Sequence, residues 1–213
     1  VVADTWNHRL QRFDGEGKVV AVVEAGFFGP RGLAVDPQTG DLLVADTGNH
    51  RLVRLSSAGA VLATIGKQGS AVGEFWEPTG VAVAADRRIA VADSANGRVQ
   101  IFDPGGVWLA GWSIPGWRRE VYSEPSLAFS ASGELWLTVP LDGEVLAFDR
   151  GGRRVAQLIL PRVAETEPAR PMALAFAPGG ARLVVTMLDG RLVELPVALG
   201  RSESTAIEVT GAP

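Results

Sequence analysis

One short segment of this chain recurs: Val2-Ala3-Asp4-Thr5-Trp6-Asn7-His8-Arg9-Leu10 returns as Val44-Ala45-Asp46-Thr47-Gly48-Asn49-His50-Arg51-Leu52. A looser copy runs Val91-Ala92-Asp93-Ser94-Ala95-Asn96-Gly97-Arg98-Val99, and two degenerate copies follow, Val139-Pro140-Leu141-Asp142-Gly143-Glu144-Val145 and Thr186-Met187-Leu188-Asp189-Gly190-Arg191-Leu192. The turn residues Asn7, Asn49, Asn96, Asp142 and Asp189 stand 42, 47, 46 and 47 positions apart. A period near 45 residues confines the chain to an array of one supersecondary unit, with each unit packed on its neighbours.

Each unit holds four short apolar runs of strand length, as at Gly32 to Val35, Leu42 to Ala45, Leu52 to Leu55 and Val61 to Ile65. Turn chemistry separates them: Asp36-Pro37-Gln38-Thr39-Gly40, then Thr47-Gly48-Asn49-His50, then Ser56-Ser57-Ala58-Gly59. Asp14-Gly15-Glu16-Gly17, Asp103-Pro104-Gly105-Gly106 and Asp149-Arg150-Gly151-Gly152 take the place of that last turn in other units, with glycine supplying the positive φ of a tight hairpin. No sustained helical stripe is present. Four antiparallel strands cannot bury both of their faces alone, so the units must stack around an axis. The expected fold is all-β, a β-propeller of four-stranded antiparallel blades. Four complete blades are expected at 30–66, 78–114, 125–160 and 171–209, and a partial one at 1–24 that begins at its second strand. The last blade would close with Thr205 to Val209, leaving 210–213 as a tail.

These residues resemble the NHL repeat family. The resemblance rests on the turns Asn7-His8-Arg9-Leu10 and Asn49-His50-Arg51-Leu52, and on the first-strand openings Pro30-Arg31-Gly32-Leu33-Ala34-Val35 and Pro78-Thr79-Gly80-Val81-Ala82-Val83. The connector Gly73-Glu74-Phe75-Trp76-Glu77-Pro78 is similar to the family's linker between blades. The likeness is strong to about Asp103; beyond it the hairpin dipeptides and the opening prolines Pro125 and Pro171 carry it. The family usually closes with about six blades, or roughly 270 residues at this period. The resemblance therefore implies that the 213 residues are a fragment of a longer product, five- or six-bladed in the parent.

Composition narrows the function. Twenty Lys and Arg against 24 Asp and Glu give a net charge of −4, which argues against a nucleic-acid partner. The RNA-binding members of the family carry a strongly positive face; the short pairs Arg118-Arg119 and Arg153-Arg154 fall on opposite faces and make no such track. No apolar run approaches the ~18 residues of a membrane helix, so no insertion by this segment is expected, though a parent could be membrane-attached. The absence of Cys removes disulfides, thiolate zinc sites and thiol catalysis, and the presence of only His8 and His50 excludes a three-histidine metal site within one chain. Arg outnumbers Lys by 18 to 2 beside abundant Ala, Gly and Val, which suggests a GC-rich prokaryotic genome.

The pairs Asp4 with His8 and Asp46 with His50 look like carboxylate–imidazole dyads, yet both fall at one place in neighbouring repeats. There a polar side chain satisfies backbone groups. Asp4, Asp46 and Asp93 are expected to clamp Arg9, Arg51 and Arg98. The tryptophans are the less ordinary feature. Trp6 lies in a second-to-third-strand turn, and Trp76 and Trp117 lie in blade connectors, two loop classes that emerge on the same face. Trp76 and Trp117 could instead plug grooves between blades; Trp108, Trp112 and Trp136 are read as packing. The candidate ligand-binding set is Trp6, Trp76, Trp117, Arg118, Arg119, His8 and His50, with no catalytic residue, metal or cofactor assigned.

The expected function is a non-catalytic platform presenting one propeller face to a protein, peptide or carbohydrate partner, as an extracytoplasmic appendage of a larger protein. The alternative is a propeller lyase or lactonase with a metal- or His-dependent site near the axis. Against it stand the wholly apolar inner runs Gly32 to Val35 and Gly80 to Val83.

Overall fold

The computed structural model describes residues 1–117, 124–160 and 169–197. They form five antiparallel sheets in chain order, the blades of a propeller. The first holds β1 (Val2–Asp4), β2 (Arg9–Phe13) and β3 (Val19–Val23); the second holds β4 (Pro30–Val35), β5 (Leu42–Asp46), β6 (Arg51–Leu55) and β7 (Val61–Ile65). The third comprises β8 (Pro78–Val83), β9 (Ile89–Asp93), β10 (Arg98–Phe102) and β11 (Trp108–Ser113), and the fourth β12 (Leu127–Phe129), β13 (Leu135–Val139), β14 (Glu144–Phe148) and β15 (Arg154–Ile159). The fifth holds β16 (Pro171–Phe176), β17 (Arg182–Met187) and β18 (Leu192–Pro196). Three blades thus have four strands and two have three among the described residues. The closing strand expected at Thr205 to Val209 lies outside the described residues, as does the 210–213 tail.

Burial follows position within a blade. The middle strands β5, β9 and β13 are buried along nearly their whole length because a neighbouring blade covers each face, which is why they read as continuous apolar runs rather than alternating ones. The outermost strands β3, β7 and β11 have one edge unpaired among the described residues and are mostly exposed. The inner strands β4, β8, β12 and β16 meet in succession around the axis. They pass so close that a Cβ on Gly32 would lie 2.5 Å from the Thr79 carbonyl oxygen, and one on Gly80 2.7 Å from that of Pro125. The glycine of the Pro-X-Gly opening is therefore a packing requirement.

The third-to-fourth-strand hairpins are built alike. Asp14 Oδ1 accepts from the amides of Glu16 and Lys18, Asp103 Oδ1 from those of Gly105 and Val107, and Asp149 Oδ1 from those of Gly151 and Arg153, all at 2.8–3.0 Å. Gly17, Gly106 and Gly152 take the left-handed conformation that closes each turn.

Candidate binding face

The repeated Asp-Thr-X-Asn segment forms a one-turn 3-10 helix in three blades, at Thr5–Asn7, Thr47–Asn49 and Ser94–Asn96. Its polar side chains bind backbone. In the second blade the carboxylate of Asp46 is fully buried; it accepts from Phe28 N at 2.8 Å and from Asn49 Nδ2 and Arg51 Nε at 2.8 Å each. Thr47 Oγ1 donates to the Pro78 carbonyl of the next blade at 2.7 Å, as Thr5 Oγ1 does to Pro30 at 2.8 Å. The third blade repeats the scheme: Asp93 accepts from Trp76 N at 2.7 Å and from Arg98 Nε at 2.7 Å. The second turn therefore stitches its own blade both to the connector that enters it and to the next blade; the first reaches the next blade through Thr5, and the third reaches its connector through Asp93, while Ser94 bonds Thr79 within its own blade.

The same side chain titrates differently as its burial changes. Asp93 is pushed above the ordinary carboxylate range by burial, against the pull of the Trp76 amide, Asn96 and Arg98. Asp4, in the more open first copy, is held below that range by hydrogen bonds from Arg9, Asn7 and Gln11.

Both histidines occupy left-handed backbone, His8 at φ 56° and His50 at φ 53°. Each ring offsets the cost of that conformation with a bond: His8 Nδ1 accepts from Gly29 N and His50 Nδ1 from Glu77 N, each at 3.0 Å. With Nδ1 accepting, Nε2 is left as the N–H donor of each ring. In the third copy Gly97 stands at this place, because a Cβ there would sit 2.9 Å from the Trp117 carbonyl. Neither histidine approaches the carboxylate of its own motif through any of these bonds; the apparent dyads are two separate backbone clamps.

The aromatic candidates part company. Trp6 is 85% exposed. Trp76 is half-buried, its ring edge-on to His50 with centroids 6.2 Å apart. Trp117 is only 4% exposed; its Nε1 donates to the Thr138 carbonyl at 3.1 Å within the core shared by the third and fourth blades. Ile114, Leu137 and Val139 belong to the same core, so Trp117 acts as the groove plug and offers no surface to a partner. Arg118 and Arg119 lie outside the described residues.

A residue that the tryptophan count passes over joins the face. Phe28 is 55% exposed and its ring lies 4.8 Å from that of His8, repeating the Trp76–His50 pair one blade earlier. The signal was in the sequence: Phe28-Gly29-Pro30 and Trp76-Glu77-Pro78 are the same aromatic-X-Pro connector. Gly48 is small because a Cβ there would meet the Phe28 ring at 2.1 Å.

At the axis a groove of about 440 Å³ opens among Arg31, Thr79, Glu124, Ser126 and Ala173. Arg31 and Glu124 form an ion pair there, between the inner strand of the second blade and the entrance to the fourth. No group of three or more His, Asp or Glu side chains placed to hold a metal ion occurs among the described residues.

A family model for the NHL repeat matches residues 27–55 and 75–102. Protein lin-41 of Caenorhabditis elegans is 47% identical over 47 residues, 22% of this chain and 4% of that protein. Among solved structures, a streptogramin B lyase superposes with a TM-score of 0.64 at 16% identity, covering 89% of this chain and 62% of the lyase. Hydrazine synthase of Kuenenia stuttgartiensis gives 0.66 at 15%, covering 89% of this chain and 51% of the other. Virginiamycin B lyase of Staphylococcus aureus, in a catalytically inactive histidine-to-alanine form with quinupristin, gives 0.61 at 15%, covering 92% and 65%. The chain thus spans half to two thirds of these structures, and at such identities the likeness is one of fold.

Proposed function

We propose that this NHL-repeat β-propeller is a binding platform without chemistry of its own, one that takes a protein, peptide or carbohydrate partner on the face carrying Trp6, His8, Phe28, His50 and Trp76. One observation carries the reading. The acidic and imidazole groups of the repeated turn are bound to backbone, while the rings of Trp6 and Phe28 beside them keep more than half of their surface exposed. Large aromatic surface beside polar rims is what interfaces use. Arg118 and Arg119 follow in the next connector and are assigned to the same contact set on sequence alone. The platform would serve as an extracytoplasmic appendage of a longer protein. No helix among the described residues is long and apolar enough to cross a membrane.

The test is an array of peptides and glycans probed with the purified chain and with a Trp6→Ala/Phe28→Ala/Trp76→Ala variant. Hits of the parent chain should vanish in the variant while its circular dichroism and melting temperature stay close to the parent's. Hits retained by the variant would remove the aromatic face from the function.

A second reading is favoured by the shared fold of the streptogramin B and virginiamycin B lyases. Quinupristin incubated with the chain and followed by mass spectrometry separates the two: turnover would replace the platform with a lyase. Elemental analysis of the chain for one tightly held divalent ion serves as an independent check on the same point.

A further inference from the structure

Two connector aromatics stand beside a histidine of the repeated turn, and in both places one and the same bond fixes the imidazole. The ring of Phe28 lies 4.8 Å from that of His8, tilted by 32°, and the ring of Trp76 lies 6.2 Å from that of His50, edge-on. His8 Nδ1 accepts from Gly29 N and His50 Nδ1 from Glu77 N, in each case the amide that follows the aromatic. Neither imidazole makes a second hydrogen bond among the described residues. The N–H of Nε2 is therefore an open donor on the far side of each ring, held in place beside an apolar wall.

The acceptors that turn and connector repeat from blade to blade are, by contrast, engaged. Asp46 takes bonds from Phe28 N, Asn49 and Arg51, and Asp93 from Trp76 N, Asn96, Arg98 and Gln100. The connector carbonyls are taken as well. That of Phe28 accepts from Gly48 N, that of Trp76 from Ala95 N, that of Gly26 from Asn49 and Arg51, and that of Gly69 from Asn96. A ligand lying along these connectors is met by rings and N–H donors, while its own N–H or O–H groups find the repeated acceptors already bonded.

We propose that the partner of this face is a proline-rich segment of another protein in the polyproline II conformation, its pyrrolidine rings against Phe28 and Trp76 and its carbonyls accepting from Nε2–H of His8 and His50. The proposal rests on the platform reading and names its ligand. A proline brings no backbone N–H, so none is stranded against an occupied acceptor. The polyproline II chain makes no hydrogen bonds of its own and is preformed, so its carbonyls are available and little freedom is lost on docking. Recognition of this kind uses aromatic walls and needs no sheet edge. A carbohydrate fits less well, because every hydroxyl donates as well as accepts. The chain's own Pro168-Ala169-Arg170-Pro171 does not serve as the ligand: Ala169 is buried and Pro171 opens β16.

The test is titration of the full chain, isotopically labelled at the histidine nitrogens, with a blocked decaproline peptide, read by nuclear magnetic resonance. His8 and His50 are the only histidines, so their Nε2 signals report the contact directly. Both should shift along one saturable curve with a dissociation constant below about 1 mM, and a Gly-Ser peptide of equal length should shift neither. Phe28→Ala, at an exposed position, should weaken binding about tenfold at an unchanged melting temperature. A shift at neither histidine, or at one alone, would overturn the proposal. Binding that Phe28→Ala leaves intact would place the peptide elsewhere and overturn it too, and cellohexaose shifting both signals where decaproline shifts none would give the face to a carbohydrate. The two readings fail separately: array hits lost in the aromatic variant beside a silent decaproline keep the platform and remove only its proline-rich ligand, whereas hits retained by that variant remove both.

Discussion

At the scale of single residues, one motif in different degrees of burial gives differently valued interactions. Asp46 is buried and serves Phe28 N, Asn49 and Arg51 together. Asp46→Ala leaves a buried amide and a guanidinium without their acceptor and should destabilise the fold by about 2–4 kcal/mol. Asp4→Ala, in the open copy, should cost clearly less in the same urea titration; equal losses would mean that the carboxylate acts through its own turn alone and not through the connector. The histidine position separates backbone strain from bonding in a similar way. His50→Ala loses the bond from Glu77 N and keeps a Cβ in left-handed backbone, whereas His50→Gly loses the bond and relieves the strain. The glycine variant should therefore be the more stable by about 1 kcal/mol, measured by thermal or chemical unfolding. A glycine variant no better than the alanine one would show that the cost of φ 53° is absorbed elsewhere.

Between elements, the blades are joined on the far side by charged turns as well as by apolar packing. Asp36, in the first hairpin of the second blade, is almost fully buried and meets Arg87 of the third at 2.9–3.0 Å. Burial raises its pKa, but the Arg87 guanidinium and the amides of Gln38 and Thr39 outweigh it, so the carboxyl lies below the ordinary range. A carboxylate with a depressed folded pKa stabilises the fold above its unfolded value of about 4, and that contribution is lost as pH falls through the folded pKa. Asp93 has the opposite sign: its raised pKa means that its contribution is present at acid pH and is lost as pH rises past its folded value. Asp36→Asn should accordingly flatten the loss of stability below about pH 4, read from urea midpoints against pH; an unchanged slope would show that the Asp36–Arg87 pair contributes nothing to acid sensitivity.

The strands and turns that carry this architecture were legible in the sequence because their rules are local: a glycine in a hairpin, an apolar run of five residues, an aspartate capping its own turn. The direction of each connector aromatic was not. Phe28, Trp76 and Trp117 all sit in connectors, yet Trp117 is drawn inward by the Thr138 carbonyl and a neighbouring apolar core, contacts set by residues about twenty positions away. The Arg31–Glu124 pair at the axis was equally hidden, since its members are 93 residues apart and meet only once the blades are stacked.

For the whole molecule, the core is a series of interfaces between successive blades. Leu10 and Phe27 pack with Val44, Val53 and Leu55 between the first and second blades; Leu43, Leu52 and Phe75 pack with Val81, Ile89 and Phe102 between the second and third. Larger clusters follow, centred on Leu137 and Ile114 and then on Leu183 and Val185. Stability in such an array is a sum of nearest-neighbour terms, so opening begins where a blade has the least apolar contact. Among the described residues that is the first blade, whose only shared cluster is also the smallest. Native-state hydrogen exchange should therefore find the amides of β2 less protected than those of β9, and Leu10→Ala should speed exchange in the first blade while leaving β9 nearly unchanged. Leu137→Ala, in the interface of the third and fourth blades, should lower protection on both sides of it and cost about 2–5 kcal/mol overall. Equal acceleration at β2 and β9 by Leu10→Ala would mean that the blades open as one unit.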